Sequence, residues 1–279
     1  MFYRDARRLP GGPWPLLAAA SLLGWVGIGI GIGIGTGTGN SAGGMAWSMP
    51  AVCGAMAEAW GRVDGVGVRQ FWLANPPLPM LAAWLMMLCA MMPLLLIQPA
   101  AHLWRRSLAR RRWRALAWFC LGYFGVWLCA AALLPPLAVG LRIFGTHATP
   151  PMAVALACLG FWQSTPFRQH CLNRCHYVPH LCAFGWRSDR DGMRYGVDHG
   201  AACLGACWPW MLLTLTTDAH HLASMAVAGM VLALERQGLP QPPAWRLPFV
   251  DGIAILARRL RSRYAFASMA APGGRGDIA

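Results

Sequence analysis

His199, Cys203, Cys207 and Met211 recur at every fourth position of the stretch Gly196–Val–Asp–His–Gly–Ala–Ala–Cys–Leu–Gly–Ala–Cys–Trp–Pro–Trp–Met211. On an α-helix, side chains four apart lie on one face, about 6 Å apart along the axis. All four are soft or borderline metal ligands, and thiolate combined with thioether selects copper(I) or a similar soft ion. Successive members drift by about 40° around the helix and the row is roughly 18 Å long, so one ion cannot hold all four. A site would use two of them and draw further ligands from neighbouring helices. The competing reading is that Cys203 and Cys207 serve as small packing residues.

Three further groups have ligand chemistry. The segment from Gln163 to Cys182 holds His170, Cys171, Cys175, His176, His180 and Cys182. Thr165 is a good helix N-cap and Pro166 suits the first helical position, so a short helix is expected to start there, with Cys171 and Cys175 on one face. The spacing is not Cys-x-x-Cys, which argues against a zinc knuckle or a thioredoxin-like motif. Met87 and Met91 share a face of the Met-rich run Trp84 to Pro93, where plain packing competes with a soft-ion path. His220 and His221 open the last apolar segment, either as an ordinary polar end or as a point of ion entry or exit.

The elements that must position these residues are apolar helices. The 279-residue chain is 57% hydrophobic and only 12% charged, about half the charge of an ordinary soluble domain. This predicts an all-α fold, a polytopic membrane helix bundle of about six transmembrane helices with both termini cytoplasmic. The expected spans run about 15–35, 78–99, 115–137, 148–165, 195–216 and 219–234. The ligand stripe lies on the fifth. A basic N-terminal segment (1–14), the membrane domain (15–236) and a cytoplasmic tail (237–279) follow from this layout. The tail contains an expected interfacial amphipathic helix around 247–256, too short to span the bilayer. The start has no convincing small-residue cleavage site, so a retained anchor is expected.

The net charge of +14 comes entirely from arginine among the basic residues. In the six-span layout twenty-one arginines fall on one side, and only Arg62, Arg69 and Arg142 on the other. That asymmetry orients the chain with its termini inside and explains the charge without nucleic acid. The ten cysteines do not form a disulfide framework, since several lie within apolar segments. The Gly27–Gly39 repeat is no phosphate loop, because no lysine follows it; Gly27, Gly31 and Gly35 offer a close-packing helix face. No paired carboxylates or serine–histidine arrangement stand out, so no enzyme is expected.

Trp84 to Pro93, Gly122–Tyr123 with Trp127, Gln163–Pro166–Cys171–Cys175, and His199–Gly200–Cys203–Cys207–Trp208, followed by Met211 and Glu235, occur in this order. In this the chain resembles, over residues 79–236, a bacterial family of predicted metal-binding integral membrane proteins, sometimes labelled copper chaperones. The resemblance implies a protein of the bacterial cytoplasmic (inner) membrane that carries a metal. Two departures stand out. The family tends to have adjacent cysteines where this chain has Ala206–Cys207, and Met-Asn where it has His220–His221.

Together these readings predict binding and handing on of a soft ion, copper(I) on chemical grounds, with another soft metal as the variant. The partners are the lipid bilayer and a metal donor or acceptor protein. A non-catalytic scaffold or assembly subunit is the alternative, and a membrane thiol oxidoreductase a lesser one. Cysteine side chains turned inward, towards other ligand residues, favour the first.

Overall fold

The computed structural model describes residues 12–37, 77–135, 137–138, 141, 150–182, 184–217 and 221–246. His220, Cys53, Trp47, Trp60, Trp72, the basic start and the expected interfacial helix lie outside them. Among the described residues the regular structure is entirely helical. The helices are α1 (Trp14–Gly37), α2 (Pro77–Leu95), α3 (Ile97–Arg106), α4 (Arg112–Ala131), α5 (Pro151–Ser164), α6 (Pro166–Cys175), α7 (Gly185–Thr216) and α8 (His221–Glu235). A single 3₁₀ turn, Ala109–Arg111, leads into α4.

A helix lies at each of the six expected apolar segments, with two differences in its course. The second breaks at Leu96, so that α2 and α3 meet at 65°. Pro93 lies within α2 and Pro99 at the start of α3, and each removes an amide donor from the ladder. The fifth begins at Gly185, ten residues before Tyr195, because the polar stretch Trp186 to Arg194 continues the same helix. The short helix α6 forms as expected: Thr165 Oγ1 accepts from the Arg168 amide (3.3 Å), and Pro166 takes the first position.

Among the described residues, one helix is by length and composition apolar enough to cross a membrane (Ala109–Ala131), or two if the bent α2–α3 pair is counted as one span. The helices α5 and α8 have 14 and 15 residues, about 21–23 Å against a hydrocarbon core of about 30 Å.

Helix α7 is the axis of the fold and runs along α4. The two approach closely at glycines. A Cβ on Gly196 would collide with the Phe119 carbonyl, and one on Gly122 with the Met193 carbonyl. A Cβ on Gly200 would stand 3.1 Å from the Tyr123 carbonyl oxygen. This small-residue contact resembles helix pairing in membranes, where close backbone approach replaces a hydrophobic driving force. It brings Phe119, Tyr123 and Trp127, each fully buried, against the stripe on α7.

Helix α2 joins the same core through Trp84, whose Nε1 donates to the Trp127 carbonyl (3.0 Å). Helix α1 packs on α2, with Ser21 Oγ donating to the Ala90 carbonyl (2.6 Å) and Gly27 over the Met86 sulfur. Pro209 within α7 leaves the Gly205 carbonyl without its helical donor, and Trp162 Nε1 of α5 takes that place (2.9 Å).

The glycine contact sets a stability prediction. Gly196→Ala should destabilise purified protein by about 1–3 kcal/mol through overpacking. Gly125→Ala, where a Cβ meets nothing within 4 Å, should be neutral or mildly stabilising. Thermal unfolding in detergent checks both. Equal effects would mean that α4 and α7 are not in close contact.

Candidate metal centre

The stripe on α7 is buried along its whole length: His199, Cys203, Cys207 and Met211 are each 2% exposed or less. The sulfurs of Cys203 and Cys207 are free thiols 3.9 Å apart. Cys207 Sγ donates to the Cys203 carbonyl (2.8 Å), and Cys203 Sγ meets the Tyr123 hydroxyl at 3.2 Å. His199 stands among the rings of Phe119, Tyr123 and Tyr195, with centroids about 6 Å away. The inward orientation that distinguishes a ligand stripe from lipid-facing packing is present.

Arg236, directly after α8, reaches into this group. Its Nη2 donates to Cys203 Sγ at 2.7 Å, and its Nη1 lies 3.4 Å from both His199 Nε2 and the Leu95 carbonyl oxygen. A guanidinium has donors only. His199 Nε2 therefore presents its lone pair, which places the ring proton on Nδ1, a buried atom with no hydrogen-bond partner among the described residues. The Leu95 carbonyl is available because the residue four positions on is Pro99, which has no amide hydrogen. The break between α2 and α3 thus supplies an acceptor to the site.

A cleft opens beside this group, lined among others by Gln98, Cys175, His176, His199, Arg236 and Gln237. The ligand stripe and the Cys/His segment before it therefore meet, through His199 on one wall and Cys175 with His176 on another. Burial pushes the Cys175 thiol up to about 12, so at neutral pH it must give up a proton to bind a metal. His176 is turned to the main chain: its Nδ1 and Nε2 lie 2.9 Å from the carbonyl oxygens of Leu172 and Arg236. It holds α6 to the end of α8.

The other candidates are dispersed. Cys171 is buried on the α6–α7 contact, its sulfur 2.6 Å from the place a Cβ on Gly205 would take, and burial raises its thiol above the ordinary range. His170 is exposed. Met87 and Met91 are buried on α2, in the same core cluster as Cys203, Cys207 and Met211. His221 is buried with Nδ1 2.8 Å from the Thr214 carbonyl oxygen. Among the described residues, no three His, Cys, Asp or Glu side chains are gathered closely enough to hold an ion together. The nearest approach to such a group is the Cys203–Cys207 pair, with Arg236 on both Cys203 Sγ and His199 Nε2.

The positions of Arg236 and Tyr123 were not signalled by ligand spacing. Arg236 looks in the sequence like every other arginine that ends an apolar segment. Glu235 beside it forms a buried ion pair with Arg168 of α6 (Nη2–Oε2 2.5 Å), both side chains about 5% exposed. That pair fixes the end of α8, and with it the backbone of Arg236. Breaking a buried pair leaves an uncompensated charge, so Arg168→Met should cost about 3–5 kcal/mol. The double variant Arg168→Met/Glu235→Leu should recover a large part of the loss. Chemical denaturation of wild type, Arg168→Met, Glu235→Leu and the double variant checks this, and full additivity would contradict a direct pair.

No curated protein and no solved structure matches the chain. Residues 81–257 match a protein family described as PpoB2, copper chaperone. The matched region takes in the Met-rich run of α2, the Tyr123 face of α4, the Cys/His segment, the stripe on α7 and Arg236. With more than half of its length matched, the chain belongs to the PpoB2 copper-chaperone family.

Proposed function

We propose that this protein is an integral membrane copper(I) chaperone that holds the ion between Cys203 and Cys207, with His199 Nε2 closing in as a third ligand once loading displaces Arg236 from it, and hands it on through the adjoining cleft. The observation that carries the reading is the buried Cys203–Cys207 pair, its sulfurs 3.9 Å apart and flanked by an imidazole lone pair. Two soft sulfurs and one nitrogen suit copper(I), and the family description is in keeping with that ion. Each cysteine that binds as thiolate releases its proton to solvent. The cleft offers Cys175 as the next soft donor on the way out. Met87, Met91 and Met211, buried in the same core, can pass or steady a soft ion without adding charge.

The site of action in this reading is the bacterial cytoplasmic membrane, crossed by about six helices with both termini inside. Support comes from the one-sided arginines. It comes also from large aliphatic and aromatic side chains turned outward on four helices: Leu22 and Leu23 on α1, Leu121 on α4, Phe161 on α5 and Met230 on α8 are each more than half exposed. Apolar side chains turned outward on several helices are what a lipid-facing surface would carry. The metal donor and acceptor are partner proteins or small carriers of copper(I).

Detergent-purified wild type should bind copper(I) stoichiometrically in competition with a chromogenic copper(I) chelator. The Cys203→Ser/Cys207→Ser variant should lose at least a hundredfold in affinity while remaining helical, and His170→Ala should bind as wild type does. Undiminished binding by the double variant would refute the site. A well-folded wild type that takes up no copper(I) would leave the cysteines as packing and favour the scaffold reading.

A further inference from the structure

The guanidinium of Arg236 is held by the lone pairs that a soft cation would use. Its partners are Cys203 Sγ (2.7 Å), the lone pair of His199 Nε2 (3.4 Å) and the Leu95 carbonyl oxygen (3.4 Å). His199 Nε2 has a single lone pair, so a guanidinium and an ion cannot both hold it, and an ion shared by His199 and Cys203 must displace the guanidinium that stands between them. The group carries one positive charge, as copper(I) does. Exchange of one for the other brings the same charge to the buried sulfurs, whereas a divalent ion would bring one more into a medium that solvates it poorly. Resting on the chaperone reading above, we propose that Arg236 is a built-in competitor for the copper(I) seat: it leaves Cys203 and His199 when the ion loads, and its return helps to expel the ion.

The surroundings give the side chain a place to go and a reason to come back. Arg236 also lines the cleft, beside the polar side chains of Gln98 and Gln237, so its head can turn out of the seat into that space. Its backbone stays anchored. The Arg236 carbonyl is held by His176 Nε2 (2.9 Å), and its amide donates to the Leu232 carbonyl (3.1 Å). The neighbouring Glu235 is locked to Arg168. Further along, Asn173 of α6 donates from Nδ2 to the Gln241 carbonyl (2.6 Å) and accepts from the Gln241 amide at Oδ1 (3.2 Å). A competitor tethered in this way acts at a high effective concentration and returns as soon as an acceptor draws the ion away. Tight burial of a soft ion would otherwise make handing on slow.

The test is the affinity and release rate of copper(I), measured on the full-length protein in detergent with a soluble copper(I) chelator as acceptor. A charged hydrogen bond of this type corresponds to a change of about ten- to a hundredfold in an equilibrium constant. Arg236→Gln should therefore bind copper(I) about ten- to a hundredfold more tightly and release it correspondingly more slowly. Arg236→Lys, which keeps the charge on a single ammonium, should fall between that variant and wild type. If Arg236→Gln does not fold, the wild type itself decides. Modification of Arg236 by phenylglyoxal, located by peptide mass spectrometry, should rise on copper(I) loading as the guanidinium turns into the cleft. Weaker binding or unchanged release in the folded variant, or modification that loading does not alter, would overturn the competitor role and leave the chaperone reading standing. A wild type that binds no copper(I) would overturn both.

Discussion

Two helices meet where neither has side chains to keep them apart, and the site depends on that contact. Gly122 of α4 and Gly196 of α7 let the backbones approach until a single Cβ would collide with a carbonyl on the partner. One turn along, this closeness sets the Tyr123 hydroxyl at the Cys203 sulfur and packs the rings of Phe119 and Tyr195 around His199. Larger residues at the crossing would move α4 outward and separate the hydroxyl from the thiol. Helix α8 packs on both α7 and α2, and Arg236 at its end meets the Leu95 carbonyl and Cys203. Packing and chemistry are therefore set by one crossing.

Prolines add a second layer of positioning by releasing carbonyls. Pro99 leaves the Leu95 carbonyl to Arg236, and Pro209 leaves the Gly205 carbonyl to Trp162. In an apolar interior a freed carbonyl must find another donor, because leaving it unpaired is costly. Each proline thus recruits a side chain from another helix. The first recruitment brings a cation to the thiol. The second ties α5 to α7, and the edge-on contact of Trp162 with Trp208 adds to it.

Much of this was legible in the sequence. Four-residue spacing gave the face of α7, and its burial follows from the apolar residues that surround it. The cap at Thr165 and the proline after it gave the start of α6 to the residue. The break in the second span had its signals too, since Pro93 and Pro99 bracket it, but hydropathy alone runs straight through them. What spacing does not encode is which way a neighbouring helix turns. Cys171 and Cys175 share a face of α6, yet one packs on Gly205 and the other lines the cleft. His176 has the right chemistry for a ligand, and its two nitrogens face carbonyl oxygens instead. Arg236 lies thirty-three positions from Cys203, and its partnership is a long-range contact that periodicity cannot carry. The four-residue recurrence Gly192–Gly196–Gly200 was visible on the same helix, masked by the more conspicuous ligands between and beyond it.

The account stands on copper(I) being held by the sulfurs of Cys203 and Cys207. X-ray absorption at the copper edge, on full-length protein loaded with one equivalent of copper(I), tests that most directly. The predicted result is a first shell of two sulfurs with a histidine nitrogen, with the sulfur scattering lost in the Cys203→Ser/Cys207→Ser variant. A first shell of nitrogen or oxygen alone, or sulfur scattering that persists in the variant, would contradict it.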